Sequence, residues 1–201
     1  MTISFTPSPK AQLTDKLYRT PLEGLYYLEV DIHADPRGYF AELVIYSDLV
    51  KILNRPFVAV QSNLAHSLPH VARGFHAEPW RKLITVVRGT IFGAIADIRP
   101  NSGTFSEVVT FTLGERAKAL HGCFFIDQGL ANAYLVLDGP VNYLYCVDAL
   151  YRERKPQADS ALSLFDPDLN VPWPLPRSQM ILSERDLTAQ TLRQRFPEKF
   201  S

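Results

Sequence analysis

Leu83-Ile84-Thr85-Val86-Val87-Arg88-Gly89-Thr90-Ile91-Phe92-Gly93-Ala94-Ile95-Ala96-Asp97-Ile98 is the stretch from which the fold can be read. Residues 83–87 and 90–98 are β-branched and apolar runs of strand length, and Arg88-Gly89 between them has the chemistry of a tight turn. That order predicts a β-hairpin. The same signature recurs outward from it, at residues 57–63 before and at 107–112, 119–126, 131–137 and 141–147 after. Arg99-Pro100-Asn101-Ser102-Gly103, Asp127-Gln128-Gly129 and Asp138-Gly139-Pro140 punctuate the series. Many short strands at even spacing predict an all-β fold, a sandwich or jelly roll, rather than an α/β sheet.

Further from that centre the signals thin out. Residues up to about Leu22 are polar and proline-bearing, and are expected to form an N-terminal arm over 1–22 that takes structure only by packing on something else. Tyr26, Leu28, Val30 and Ile32 then alternate with Leu25, Tyr27, Glu29 and Asp31 as in a strand. Residues 33–38 make a turn, 39–45 resume a strand, and Tyr46-Ser47-Asp48 can cap a short helix through Leu53 that Asn54-Arg55-Pro56 stops. After Val147 come a polar loop and the extended Val171-Pro172-Trp173-Pro174-Leu175-Pro176, and a C-terminal helical tail is expected over 183–201. No internal repeat or low-complexity segment is visible, and the 201 residues, 46% of them hydrophobic, suit a single domain over 1–201.

Lys plus Arg number 21 and Asp plus Glu also 21, so the net charge proposes neither nucleic acid nor an anionic membrane as partner. Cys123 and Cys146 lack CxxC or Cys/His ligand spacing, which argues against a disulfide framework or a zinc site and for a reducing cytoplasm. The N-terminus has no apolar core of the signal-peptide kind and no run approaches membrane-spanning length, so an unprocessed soluble chain is expected.

Chemistry concentrates in Arg73-Gly74-Phe75-His76-Ala77-Glu78-Pro79-Trp80-Arg81-Lys82. On one strand His76 and Glu78 would share a face, with Lys82 entering the next strand. Taken alone, this is a polar loop between strands. A metal-binding jelly roll would offer two histidines one residue apart; here His66, His70, His76 and His121 are scattered and His33 sits in a turn, so no metal site is expected. Metal-free acid/base work remains, and a histidine used that way needs an orienting carboxylate. Glu78 and Asp186 are the candidates, although Ser183-Glu184-Arg185-Asp186 also reads simply as a helix start. Tyr143 and Tyr145 project to one face of a strand, with Tyr151 shortly after, either as core aromatics or as cavity phenols. Gln61 and Asn63 share a face as well, and two polar residues so spaced line a wet cavity more readily than a core.

Arg37-Gly38-Tyr39-Phe40 with Glu42, Gln61 with Asn63, Arg73-Gly74-Phe75-His76, Lys82-Leu83, Asp97-Ile98-Arg99, Tyr145, Asp166-Pro167-Asp168-Leu169, Trp173-Pro174 and Ser183 with Asp186 form an ordered set. Their order and approximate spacing resemble the dTDP-4-dehydrorhamnose 3,5-epimerase family from about Gly24 to Asp186. The resemblance implies a metal-free, cofactor-free cupin-type double-stranded β-helix (a jelly roll) with a few short flanking helices, usually a homodimer. Such an enzyme inverts the two carbons flanking the keto group of a nucleotide-linked 4-keto-6-deoxyhexose, here most simply the dTDP-linked precursor of L-rhamnose. By position, His76 matches the general base, Asp186 its orienting carboxylate, Tyr145 the acid on the opposite face, and Lys82 the cation near the keto oxygen. Arg73, Arg37, Glu42, Gln61 and Asn63 match substrate-binding positions, and Glu78, Asn132 and Tyr151 are expected to line the same site. A proton beside a ketone is removable because its charge moves onto oxygen as an enolate, which a fixed lysine stabilises.

Many members have glutamine at the position of Glu78, histidine at that of Asn132 and aspartate at that of Gly93, so this chain resembles a variant branch. The alternatives are a single-site epimerase or ketoisomerase on a related sugar nucleotide, and a non-catalytic cupin that binds sugar nucleotides. The joint presence of His76, Lys82, Tyr145 and Asp186 argues against the last, since a pure binder needs no base and acid on opposite faces.

Overall fold

The computed structural model describes residues 1–53, 55–153 and 160–200. Its strands in chain order are β1 (Thr2–Ser4), β2 (Gln12–Thr14), β3 (Leu17–Arg19), β4 (Leu25–Glu29), β5 (Ile32–Asp35), β6 (Gly38–Ala41), β7 (Gln61–Ser67), β8 (Ala72–Ala77), β9 (Lys82–Asp97), β10 (Val108–Gly114), β11 (Gly122–Ile126), β12 (Leu130–Val147) and β13 (Ser160–Ala161). Short helices α1 (Tyr46–Val50), α2 (Glu184–Leu187) and α3 (Leu192–Arg195) flank them.

The expected hairpin at Arg88-Gly89 does not form. Residues 82–97 are one continuous strand, β9, which pairs antiparallel with the similarly long β12 from Lys82 opposite Val147 to Asp97 opposite Leu130. Gly89, at φ +78°, lets β9 bend, and the register shifts of β12 between Val136 and Asp138 and between Asp138 and Asn142 bend the partner at the same place. Arg88-Gly89 and Asp138-Gly139-Pro140, both read as turns, are therefore the two sides of one corner. Through that corner each strand serves two sheets. Residues 90–97 and 130–138 join β10, β1, β8 and β13, while 82–88 and 141–147 join β7, β11, β4, β3 and β2. The fold is an all-β jelly roll whose two sheets share their central strands.

Alternation along these strands builds the core between the sheets. Tyr27, Ile84, Ile91, Ile95, Phe111 and Phe124 are buried together there, with the Phe111 and Phe124 rings stacked at 4.0 Å. A Cβ on Gly93 would fall 2.3 Å from the Phe111 ring, so packing keeps that position a glycine. On the outer face of the first sheet, Ala94, Ala96, Ala131 and Ala133 form a low surface that receives Leu162, Leu164, Leu169 and Leu192 from the C-terminal segment. Each such leucine is worth about 1.5–3 kcal/mol of apolar burial. Asp166 ties the segment down by accepting from the backbone N–H of Asp168 (2.8 Å), Leu169 (3.1 Å) and Leu192.

The first 22 residues are not an arm awaiting another surface. β1 adds parallel to β10 and β3 pairs with β4 of the same chain, while Phe5, Leu17 and Leu22 are buried. Strands of three residues are too short to show a period, so their polar composition dominated the reading. Strand β7 begins at Gln61 rather than Phe57, and its more buried row is Gln61, Asn63, Ala65 and Ser67. The turn of residues 33–38 tightens to Pro36-Arg37 between β5 and β6, and β6 stops at Ala41. Helix α1 stops at Val50 and takes no side-chain cap; Asn54, read as part of its stop signal, lies outside the described residues.

Candidate active site

A cavity of about 150 Å³ opens where β7, β8, β9 and β12 meet, lined by Ala65, Arg73, His76, Glu78, Lys82, Asn132, Tyr134, Tyr143 and Tyr145. Strict alternation along β8 would send Arg73 and His76 to opposite faces. Instead His76 pairs with Asn132 and Arg73 with Tyr134, three residues of β8 against two of β12, and this bulge turns both side chains to the cavity. Gly74 allows it, with φ +123° and no Cβ to meet Ala133 Cα at 2.5 Å.

His76 Nε2 lies 2.7 Å from Asp186 Oδ1, with the carboxylate side chain 2% exposed. Asp186 belongs to α2, whose N-cap Ser183 accepts from the Asp186 N–H at 3.2 Å and donates its own hydroxyl to Asp186 Oδ2 at 2.8 Å. Helix start and orienting carboxylate are thus one arrangement. Burial alone would raise the Asp186 carboxyl, but the hydrogen bond and charge of His76 together with the Ser183 hydroxyl hold it below its ordinary value. A charged Asp186 accepts a hydrogen bond from the Nε2–H of His76, which keeps the proton on that nitrogen and leaves Nδ1 bare to act as a base.

Across the cavity, β12 presents Tyr143 and Tyr145 from one face. Burial, then the charge of Glu78, raises the Tyr145 phenol, with Arg73 opposing; such a phenol keeps its proton until something basic needs it. Burial raises Tyr143 further. At the start of β9, Lys82 forms an ion pair with Glu78 and donates to Asn132 Oδ1.

Gln61 and Asn63 extend the Ala65 face of β7, hydrogen-bonded to each other at 2.6 Å, with Asn63 opposite Tyr145. The Tyr151 N–H donates to Gln61 Oε1 at 2.9 Å and its ring lies 6.3 Å from Trp80, beside the cavity rather than in it. Arg37 and Glu42 are not brought to this cavity. Arg37 sits in the turn of the β5–β6 hairpin, its side chain 90% exposed and paired with Asp35 at 2.6 Å, and Glu42 lines a separate cleft with Lys16 and Asp31. Among the described residues the hairpin pairs only with itself, as a sheet separate from the main one, which residue order along a chain cannot reveal.

Tyr134 is a lining residue that the sequence reading missed. Its phenol bonds Ser67 Oγ at 2.9 Å, the same oxygen that accepts from Arg73 Nε at 3.1 Å, and its ring stacks on Tyr143 at 4.6 Å. The available signal was its place two residues after Asn132 on an alternating strand. Among the described residues no group of three or more His, Cys, Asp or Glu could hold a metal ion, and no helix is long and apolar enough to cross a membrane.

Comparison with known proteins identifies the family. The family model described as dTDP-4-dehydrorhamnose 3,5-epimerase matches residues 19–194. The dTDP-4-dehydrorhamnose 3,5-epimerase of Methanothermobacter thermautotrophicus is 33% identical over 184 residues, covering 89% of this chain and 95% of its own. That of Escherichia coli K12 is 32% identical over 178 residues, covering 87% and 92%. The crystal structure of the Legionella pneumophila dTDP-6-deoxy-D-glucose-3,5-epimerase in complex with dTDP-4-keto-L-rhamnose superposes with a TM-score of 0.79 at 28% identity, covering 91% of this chain and 95% of that one. With the family model matching residues 19–194 and a relative 33% identical over 184 residues, the chain belongs to the dTDP-4-dehydrorhamnose 3,5-epimerase family.

Proposed function

We propose that this chain inverts C3 and C5 of dTDP-4-dehydro-6-deoxy-D-glucose to give dTDP-4-dehydro-L-rhamnose. The observation that carries the reading is that the His76–Asp186 pair, Tyr145 and Lys82 meet at one cavity, His76, Tyr145 and Lys82 all lining it. His76 Nδ1 takes the proton from the carbon beside the ketone, the charge passes to the keto oxygen, and Lys82 stabilises that oxyanion. Tyr145 then delivers its proton from the opposite face, the carbon inverts, and a second round at the other carbon gives the double epimer. Arg73, Gln61, Asn63 and Tyr151 lie where a nucleotide-linked sugar entering this cavity would meet them. The reduced thiols of Cys123 and Cys146 suit a cytoplasmic location.

The active form is read as a homodimer. The β5–β6 hairpin exposes Tyr39 at 61% and Phe40 at 64%, and a hollow of about 400 Å³ beside it is lined by Ile32, Tyr39, Leu43, Val86 and Leu120. An apolar surface of that kind favours burial against a second copy, and it would let Arg37 of one chain serve the cavity of the other.

Incubation with the dTDP-linked keto sugar in heavy water, followed by NMR, tests the assignment. Deuterium is expected at C3 and C5 with the native protein, at neither carbon with His76→Asn, and with Tyr145→Phe exchange should survive better than inversion. Deuterium at one carbon only assigns a single-site epimerase; loss of exchange and inversion in equal measure in Tyr145→Phe removes that residue from the acid role.

A further inference from the structure

Lys82, Glu78 and Asn132 are bound to one another before any substrate arrives. Lys82 Nζ meets the Glu78 carboxylate, Asn132 Oδ1 and, at 3.5 Å, the His76 carbonyl oxygen, with the lysine side chain 6% and the glutamate 16% exposed. The ammonium, which has three N–H donors and no acceptor, donates to the two amide-type oxygens and stands against the carboxylate as an ion pair, while among the described residues the buried Glu78 Oε2 accepts no hydrogen bond. The long contact to the His76 carbonyl is the one most readily exchanged for a substrate oxygen. Because Lys82 can only donate, it fixes the Asn132 amide with its oxygen toward the lysine, and the Nδ2 then donates toward Tyr143 Oη at 3.5 Å. The other titratable groups facing this trio are Arg73, His76 with Asp186, Tyr134, Tyr143 and Tyr145. Arg73 adds positive charge, so the Glu78 carboxylate is the group that makes a buried ammonium here favourable.

Building on the epimerase reading above, we propose that Glu78 is a positioning residue that holds Lys82 aimed at the keto oxygen, with Asn132 as the second arm of the clamp, and that Glu78 is not a ligand of the sugar. A neutral amide at this position would leave the lysine without a counter-charge, so Glu78 and Asn132 act as a pair.

The test uses the full-length protein with Glu78→Gln, Glu78→Asp and Lys82→Met. In NMR spectra of 13C-lysine-labelled protein at neutral pH, the Lys82 Cε signal, identified by its loss in Lys82→Met, is expected to move and to sharpen toward the exposed, mobile lysines in Glu78→Gln, because the contact that holds the side chain is gone. Glu78→Asp, which keeps the charge, should restore much of the difference. An unmoved Lys82 signal in Glu78→Gln overturns the proposal whatever the substrate is. With the dTDP-linked keto sugar, Glu78→Gln should lower kcat about tenfold or more while KM changes less than about threefold. In a Lys82→Met background the same substitution should cost nothing further, because its effect passes through the lysine. A tenfold rise in KM at native kcat makes Glu78 a substrate ligand and refutes the positioning role. If the native protein catalyses no exchange at all, the epimerase reading falls and the Lys82 signal alone decides what Glu78 does.

Discussion

A histidine is a base only while one ring nitrogen is bare, and Asp186 determines which one that is. Replacing Asp186 by Asn keeps the size but admits the opposite tautomer, so kcat/KM should fall about a hundredfold or more while the fold persists. The folded-state pKa of Asp186 lies below its ordinary value of 3.8, so its stabilising contribution is complete above that value and is lost as the pH falls through the depressed one. Thermal melts of the native protein and Asp186→Asn should therefore differ near neutrality and converge in strong acid; a constant gap at every pH would count against the ion pair. His76, Lys82, Tyr145 and Asp186 could all be picked out in the sequence, since their chemistry shows in residue type and order. That Arg73 shares a cavity with His76 could not. The bulge at Gly74 that brings them together follows from pairing with β12, and a period-two reading points the other way.

At the level of elements, the corner in β9 and β12 decides how the sheets are joined. Gly89 stands at φ +78° with a would-be Cβ 2.6 Å from the Asp138 carbonyl oxygen. Gly89→Val adds both strain and a collision, and is expected to cost about 2–4 kcal/mol in denaturant unfolding, enough to shift the midpoint visibly. A change under about 0.5 kcal/mol would mean that the corner does not depend on this glycine. The strand residues on either side were readable from their β-branched runs, whereas the corner was mistaken for a hairpin turn. Glycine serves turns and bulges through the same left-handed backbone, and only the partner strand distinguishes them.

For the whole molecule, the separation of Arg37 from its own cavity leads to a mixing experiment. If each site combines His76 of one chain with Arg37 of the other, Arg37→Ala and His76→Asn proteins, each inactive alone, should recover about a quarter of native activity when refolded together at equal amounts. No recovery, with mixed dimers demonstrated, would mean that Arg37 does not serve the partner's site. The double bend of β9 and β12 has a further effect, on how the protein comes apart. His76 stands on one sheet and Lys82 and Tyr145 on the other, yet the same two strands run through both sheets. Opening either sheet frays the ladder of its neighbour, so His76, Lys82 and Tyr145 sit in a single cooperative folding unit, and amide protons near His76 and near Tyr145 should exchange with solvent at one common, global rate.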